Sequence, residues 1–380
     1  MGWMLRNSGQ DEVQARLIKA LYKDSGIQNR FSVLKDFREG ESSRSHWEAW
    51  ASSSRMQIYR KEALDLGKKA VEGLFLEQPE FQNPTHLIWV SCTGLMAPGP
   101  EILLALALGL SPKTQRMAVN FMGCHGFFHA LRYASGIVAG QPEARVVVVC
   151  AELCTLHFRP QFSQDQWLAN ALFGDGAAAI GISAARPESR LTCHEQIQFL
   201  EPEGIGSMAW DLGEAGFEMK LSRDLPGQVE KRLLEVVACF GPDFDLRNQK
   251  HWVVHPGGKR ILDGIQRGFQ LPEAALSNSR KALAEVGNVS SAAVLFALRN
   301  FLESQAGAGE GILLGVGPGI SIEAARFTYS TTRCSGFLPG SFLFLYRPGP
   351  KAGSLFYPTP PACPGSRILS FLAGKRYPSS

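Results

Sequence analysis

The chain lacks the features expected of a membrane, nucleic-acid-binding or secreted protein. Its most apolar stretch, residues 102–110, is far shorter than the roughly 20 residues that span a bilayer. It has no block of Lys or Arg, and its formal net charge is only +4 over 380 residues, which argues against a nucleic-acid partner. Its eight cysteines form no Cys-x-x-Cys pair, and its first residues do not resemble a secretory signal. We therefore expect a cytoplasmic protein with reduced thiols and no membrane insertion.

The chain does contain strand-like apolar runs that alternate with helical periodicity, which predicts an α/β architecture. Buried strands are predicted at residues 86–91, 117–121, 146–150, 177–182, 252–255 and 312–316. A helix is predicted after Cys124, ending near Ala139. The apolar pattern breaks near residues 184–190, which predicts an N-terminal half (1–187) and a C-terminal half (188–329). The Pro/Gly-rich tail, 330–380, is expected to be disordered.

Cys124 is the best candidate nucleophile in the sequence. It lies in Phe-Met-Gly-Cys-His-Gly, between a predicted strand and a predicted helix. The positive end of a helix dipole and nearby backbone N–H groups favour a thiolate over a thiol at such a position. Alone, a cysteine at the end of a strand is more often a core residue than a catalyst.

Two further residues strengthen the catalytic interpretation of Cys124. His255 lies in Val-Val-His-Pro-Gly-Gly, and Asn288 lies in Gly-Asn-Val-Ser-Ser. A Cys, a His and an Asn are the residue types that hold a thiolate, move a proton and stabilise an oxyanion. Taken singly, His255 could be a core histidine and Asn288 a turn residue or helix cap.

These motifs make the chain resemble a type III polyketide synthase of the chalcone and stilbene synthase-like family. Five motifs follow in the family's order: Gly123-Cys124, residues 172–179, His255-Pro-Gly-Gly, Gly287-Asn288-x-Ser-Ser and residues 315–319. The spacing of 33 residues from His255 to Asn288 also fits the family. The resemblance covers roughly residues 15–328 and implies a thiolase-like fold with two duplicated α/β halves in a layered αβαβα arrangement.

The resemblance implies a catalytic triad of Cys124, His255 and Asn288, surrounded by a substrate pocket. Phe173 matches the family's gatekeeper phenylalanine, and Gly317 and Pro318 belong to a loop expected behind the site. Arg30 aligns with a segment whose basic residues meet CoA. The remaining pocket positions are those that align with cavity-lining residues of plant members, several of them changed here: Cys92, His157, Trp210, Met219 and Ser290.

The implied reaction begins when Cys124 takes an acyl group from an acyl-CoA, with His255 forming an imidazolium–thiolate pair that lowers the thiol pKa. Malonyl-CoA then loses CO2, His255 and Asn288 stabilise the enolate, and repeated Claisen condensation precedes ring closure. The changed pocket residues resemble those of bacterial members that make alkylpyrones or alkylresorcinols from fatty acyl-CoA starters. The resemblance also implies a homodimer. No metal or other cofactor is expected, because His125, His129 and His157 have no carboxylate near them in sequence.

Two alternatives remain open. A ketoacyl synthase III-like enzyme would use the same three residue types for a single condensation on acyl carrier protein. An inactive thiolase-fold scaffold is the alternative that is not an enzyme. It is suggested by the termini, because residues 1–12 do not look like the first strand of the fold and the tail continues beyond the family pattern.

Overall fold

The computed structural model of the chain describes residues 12–34, 51–158, 163–186, 189–304 and 306–331, and the backbone of residues 343–346. The strands of this part of the chain are β1 His86–Ser91, β2 Gln115–Asn120, β3 Val146–Leu153, β4 Asp175–Ile182, β5 Leu191–Leu200, β6 Met208–Gly213, β7 Gly216–Leu221, β8 Gln249–Val254, β9 Gly309–Gly317, β10 Ser321–Tyr329 and β11 Leu343–Tyr346. All six predicted strands are confirmed, with ends shifted by no more than three residues.

The α-helices of the same residues surround and separate the sheets. They are α1 Glu12–Asp24, α2 Ser52–Glu77, α3 Pro100–Ala107, α4 Gly126–Gly140, α5 Gln164–Leu172, α6 Leu225–Ala238, α7 Lys259–Gly268, α8 Ser277–Val286 and α9 Ala293–Glu303. The helix predicted after Cys124 is α4, and it ends one residue beyond the expected Ala139.

Two sheets form the framework. The first has the order β11-β4-β3-β1-β2, with β1, β2 and β3 parallel and β4 antiparallel to β3. The second has the order β5-β10-β9-β8, in which only β8 and β9 are parallel. Strands β6 and β7 form a separate hairpin. The first sheet is drawn from residues 86–182 and β11, and the second from residues 191–329.

The buried side chains show how the sheets and helices are layered. In β3, Val146 and Val148 pack into the cluster that contains α4 and α9, while Val147 and Val149 face the cluster that contains α2. A strand that packs against a cluster on each side must be apolar on both of its faces, and the run of four valines in β3 meets this requirement. The second sheet packs on its outer face against α6, α7 and α8. Helices α4 and α9 thus lie between the two sheets, and the layered αβαβα arrangement is confirmed.

Strand β11 comes from the segment that the sequence predicted to be disordered. Its backbone pairs antiparallel with β4, from Leu343 opposite Ile180 to Tyr346 opposite Ala177. A strand at this edge satisfies backbone groups of β4 that would otherwise be unpaired. The rest of the tail beyond residue 331, like residues 1–11, lies outside the described residues.

Candidate active site

Cys124 lies in a tight turn between β2 and α4. Phe121 and Gly123 adopt positive φ angles of 60° and 80°, and the Gly126 N–H donates to the Gly123 carbonyl at 3.0 Å. A Cβ atom on Gly123 would lie 2.4 Å from Cδ of Pro318, so only glycine fits there. The turn places Cys124 two residues before the start of α4, and 9% of the Cys124 surface is exposed.

Asn288 connects the Cys124 thiol to the loop that carries His255. Its Nδ2 lies 3.9 Å from Cys124 Sγ and donates to the Gly257 carbonyl at 3.1 Å. Its Oδ1 accepts from the Ser290 N–H at 2.9 Å, which fixes the orientation of the amide. The backbone is held as well, since the Asn288 N–H donates to Leu172 at 2.9 Å. The carboxamide is therefore positioned for a charge that develops beside the sulfur.

His255 directly follows β8, and its N–H donates to the Leu314 carbonyl at 2.7 Å. The side chain is buried, and neither ring nitrogen has a hydrogen-bond partner in the described residues. Its neighbour Gly257 is the residue that Asn288 contacts. Two available nitrogens on a buried imidazole suit a residue that takes up and returns a proton.

Burial controls the protonation of the two reactive groups. It raises the pKa of the Cys124 thiol to about 11, although hydrogen bonds with Ser290 and Asn288 act in the opposite direction. Burial also lowers the pKa of His255 to about 3. Both shifts favour the uncharged forms of the two groups near neutral pH. Desolvation therefore acts against the imidazolium–thiolate pair, which stays a prediction.

Phe173 and Met219, two of the predicted pocket residues, lie close to Cys124. Phe173 belongs to a small apolar cluster with Cys124, Cys154 and Phe158, and Met219 packs against that cluster. A backbone bridge between Phe173 and Asn288 joins the two halves of the chain at this point. One face of the sulfur is therefore lined by apolar groups.

The two halves of the chain converge on this site, and both match known proteins. The family model described as "Chalcone and stilbene synthases, N-terminal domain" matches residues 4–187. The model described as "Chalcone and stilbene synthases, C-terminal domain" matches residues 192–328. The chain belongs to the chalcone and stilbene synthase family. These matches confirm the prediction that the chain is a type III polyketide synthase, an enzyme of the acyltransferase type. The family uses acyl-CoA and malonyl-CoA as substrates.

Individual relatives agree with the family. "Type III polyketide synthase C" of Arabidopsis thaliana is 37% identical over 256 residues, which cover 64% of this chain and 66% of that protein. "Type III polyketide synthase 21" of rice is 32% identical over 324 residues, which cover 80% of this chain and 82% of that protein. The resemblance to bacterial members stays a prediction.

Solved structures confirm the thiolase-like fold. The C-terminal type III polyketide synthase domain of Steely1 from Dictyostelium superposes with a TM-score of 0.80 at 24% identity, over 86% of this chain and 93% of that one. PKS-I from the brown alga Ectocarpus siliculosus gives a TM-score of 0.78 at 23% identity, with the same coverage.

Cys92 and Ser290, two of the predicted pocket residues, contact each other through Sγ and Oγ at 2.9 Å. Trp210 joins them, because its Nε1 donates to the Cys92 carbonyl at 2.7 Å. In this polyketide synthase family member the three residues form one continuous wall. Their role in a substrate pocket stays a prediction.

His157 is fixed in this wall rather than free to turn toward a substrate. Its ring stacks on Phe217 with 4.1 Å between centroids, and its edge faces Trp210. Nε2 hydrogen-bonds to the Thr93 carbonyl at 2.8 Å, and Nδ1 accepts from the Phe217 N–H at 3.0 Å. These contacts hold the His157 ring in place, and its role as a pocket residue stays a prediction.

Arg30 and the Gly317-Pro318 pair have structural contacts that the sequence did not predict. The Arg30 guanidinium donates to the carbonyls of Asn170 and Phe173 and lies 5.0 Å from the centre of the Tyr22 ring. These contacts support the gatekeeper segment, whereas the predicted role was a contact with CoA. Gly317 leaves room for the ring of His125, since a Cβ there would lie 1.6 Å from His125 Nδ1.

Glu152 is the important site residue that the sequence analysis missed. Its carboxylate is fully buried and accepts hydrogen bonds from the Cys92 N–H at 3.0 Å, Thr93 Oγ1 at 2.8 Å, Ser91 Oγ at 3.2 Å and Ser291 Oγ. Burial raises the pKa of this carboxyl, and the donors act against that rise. An acidic residue in the otherwise apolar strand β3 was the signal that would have found it.

No helix in the described residues combines the length and apolar character that a bilayer span requires. Within the same residues, one group of three side chains is arranged as metal ligands are: His125, His129 and Glu323. Glu323 supplies the carboxylate that these histidines lack in the sequence. The group lies outside the triad of Cys124, His255 and Asn288.

Proposed function

We propose that the protein is an iterative, decarboxylating condensing enzyme that loads an acyl group on Cys124 and extends it with malonyl-CoA. The observation that carries the proposal is the Asn288 amide, which contacts the Cys124 sulfur and the loop of His255 at the same time. A buried imidazole with two unpartnered nitrogens beside this pair supplies the proton transfer.

In the first step His255 accepts the Cys124 proton as an acyl-CoA enters. The sulfur attacks the thioester carbonyl, a bond forms between Cys124 and the acyl carbon, and the bond from that carbon to the CoA sulfur breaks. His255 returns the proton to the departing CoA thiolate. Because burial favours the neutral forms of both groups, we expect the proton to move as the thioester is attacked.

In the second step malonyl-CoA loses CO2 and leaves an enolate. Asn288 Nδ2 and His255 stabilise the enolate oxygen, and its carbon attacks the acyl group on Cys124. The sulfur leaves as a thiolate, and the lengthened chain remains as a CoA thioester. Reloading on Cys124 repeats the cycle, and the resulting poly-β-keto chain closes into a pyrone- or resorcinol-type ring.

The apolar and aromatic wall supports a role in selecting the starter and the ring closure. Phe173 and Met219 cover one face of the sulfur, and Trp210 is held against Cys92. A homodimer, the family's expected assembly, is part of the proposal.

The test is an assay of the full-length protein with labelled malonyl-CoA and a panel of short, aromatic and fatty acyl-CoAs. Pyrone or resorcinol products from free CoA thioesters support the proposal. A single extension that requires acyl carrier protein supports the ketoacyl synthase alternative, and a folded protein without turnover supports the scaffold. Cys124→Ala is expected to abolish product, and product from that variant would refute the assignment of the nucleophile.

A further inference from the structure

Behind the nucleophile turn lies a second group of chemically active side chains, which we call the His-Glu cluster: His125, His129 and Glu323. One ligand atom from each residue lies within 4.8 Å of the other two. His125 directly precedes α4 and His129 lies one helical turn further along it. Residues four apart face the same side of a helix, so the sequence directs both imidazoles toward the second sheet.

Glu323 reaches the two histidines from β10. It is completely buried between Ile322 and Ala324, two residues that face the opposite side of the strand into an apolar cluster. An acidic side chain in this position needs compensation for its lost hydration. Arg132 compensates one of the two carboxylate oxygens, since its Nη2 contacts Glu323 Oε2 at 2.5 Å.

The second carboxylate oxygen of Glu323 has no hydrogen-bond partner in the described residues. Glu323 Oε1, His129 Nε2 and His125 Nδ1 are all buried without a hydrogen-bond partner. The distance from His129 Nε2 to Glu323 Oε1 is 3.7 Å, too long for a hydrogen bond. Three orphaned polar atoms within one small group of side chains are unusual in a folded protein, and they indicate a missing binding partner at this cluster.

The chemistry of the three atoms identifies that partner. Two imidazoles and one carboxylate form a Zn²⁺ ligand set that leaves a fourth position for water. Zinc bonds of about 2.0–2.1 Å place tetrahedral ligand atoms about 3.3 Å apart. The three ligand atoms lie within 4.8 Å of one another, and His129 Nε2 lies 3.7 Å from Glu323 Oε1, so the side chains must move closer together to reach that value when the ion binds. Arg132 orients the carboxylate from the far side, as outer-shell partners of metal ligands do.

We propose that one ring nitrogen of His125, together with His129 Nε2 and Glu323 Oε1, binds one Zn²⁺ ion. The site joins α4 to β10 and so holds the residue next to Cys124 in place. Its role is structural, and the condensation reaction does not use the ion. Because Arg132 already offsets the charge of Glu323, we expect weaker binding than at an all-cysteine zinc site.

The experiment titrates Zn²⁺ into full-length protein freed of metal by chelation and dialysis. Calorimetry is expected to show one strong site per chain, and Co²⁺ is expected to give the visible absorption bands of a tetrahedral complex. His129→Gln and Glu323→Gln are each expected to weaken Zn²⁺ binding at least tenfold and to remove the rise in Tm that Zn²⁺ causes. Two variants serve because either one could fail to fold, and circular dichroism checks the fold of both.

Two control variants separate this site from other zinc ligands. His194 is an exposed imidazole on β5, and His194→Gln is expected to leave the strong site intact. Cys124→Ala is also expected to retain it, which distinguishes the His-Glu cluster from metal capture by the reactive thiol. Full Zn²⁺ binding in both cluster variants, loss of binding in Cys124→Ala, or no strong site in the unaltered protein would each overturn the proposal. None of these outcomes depends on whether the enzyme turns over malonyl-CoA.

Discussion

The two sides of the nucleophile turn treat buried polar groups in opposite ways. On one side, the carboxylate of Glu152 accepts from two backbone N–H groups and three hydroxyl groups. On the other side, His255 and the His-Glu cluster bury ring nitrogens and a carboxylate oxygen without hydrogen-bond partners in the described residues. A fully paired group stabilises the fold, whereas an unpaired one is kept available for a proton, an oxyanion or a metal.

The largest effect that separates the two sides is expected from His255→Gln. The variant keeps a polar side chain but cannot exchange a proton, so we expect kcat/KM for condensation to fall by about 10²–10⁴-fold. Its thermal stability should change little, because no hydrogen bond in the described residues is lost with the ring. Product formation and Tm are measured on the same preparation. Unchanged activity would mean that the unpartnered imidazole is a core residue.

The second effect is expected from Glu152→Gln on the paired side. The new NH2 group would face donors that now point at a carboxylate, so we expect a loss of about 1–3 kcal/mol in the free energy of unfolding. Urea denaturation measures this difference. The matched control is Glu303→Gln, which alters a solvent-accessible ion pair with Arg299 and should change stability by less than about 1 kcal/mol. Equal losses in the two variants would show that the hydrogen bonds around Glu152 add no more to the free energy of unfolding than the ion pair of Glu303.

The third effect concerns the resting state of Cys124. Since its pKa is raised to about 11, the thiolate fraction should grow about tenfold per pH unit between pH 7 and 10. The rate of Cys124 alkylation by iodoacetamide, followed by peptide mass spectrometry, should rise accordingly. His255→Gln should give the same profile. A rate that is flat above pH 6 and becomes steep in the variant would instead establish a preformed imidazolium–thiolate pair.

The smallest effect is expected from Glu323→Gln in metal-free protein. One oxygen of Glu323 already lacks a partner, and the other can be replaced by the amide oxygen that faces Arg132. We therefore expect a change in unfolding free energy of less than about 1 kcal/mol, well below that of the same substitution at Glu152. Urea denaturation in the presence of a chelator gives the comparison. Equal losses at the two glutamates would remove the distinction between the two sides.

The triad of Cys124, His255 and Asn288 could be proposed from the sequence because each residue lies in a motif that resembles the family, although singly none of the three points to catalysis. Glu152 and Glu323 could not be assigned in this way, because their partners are distant in sequence and meet them only when the layers pack. Arg30 shows the same limit, since its carbonyl partners belong to a different segment. The protonation of Cys124 and His255 also depends on burial, a property of the whole fold that no local motif encodes.

The helical layer between the two sheets has a consequence for synthesis of the enzyme on the ribosome. Cys124 emerges 164 residues before Asn288, at a time when α9 has not been made and α4 alone can cover the inner face of the first sheet. The nascent N-terminal half can carry the sulfur, but it has neither the imidazole nor the amide that make the sulfur useful. If Cys124 is the proposed nucleophile, its reactivity toward thioesters is expected to begin only after the later half has folded onto the first sheet, which would protect the unfinished chain from premature acylation.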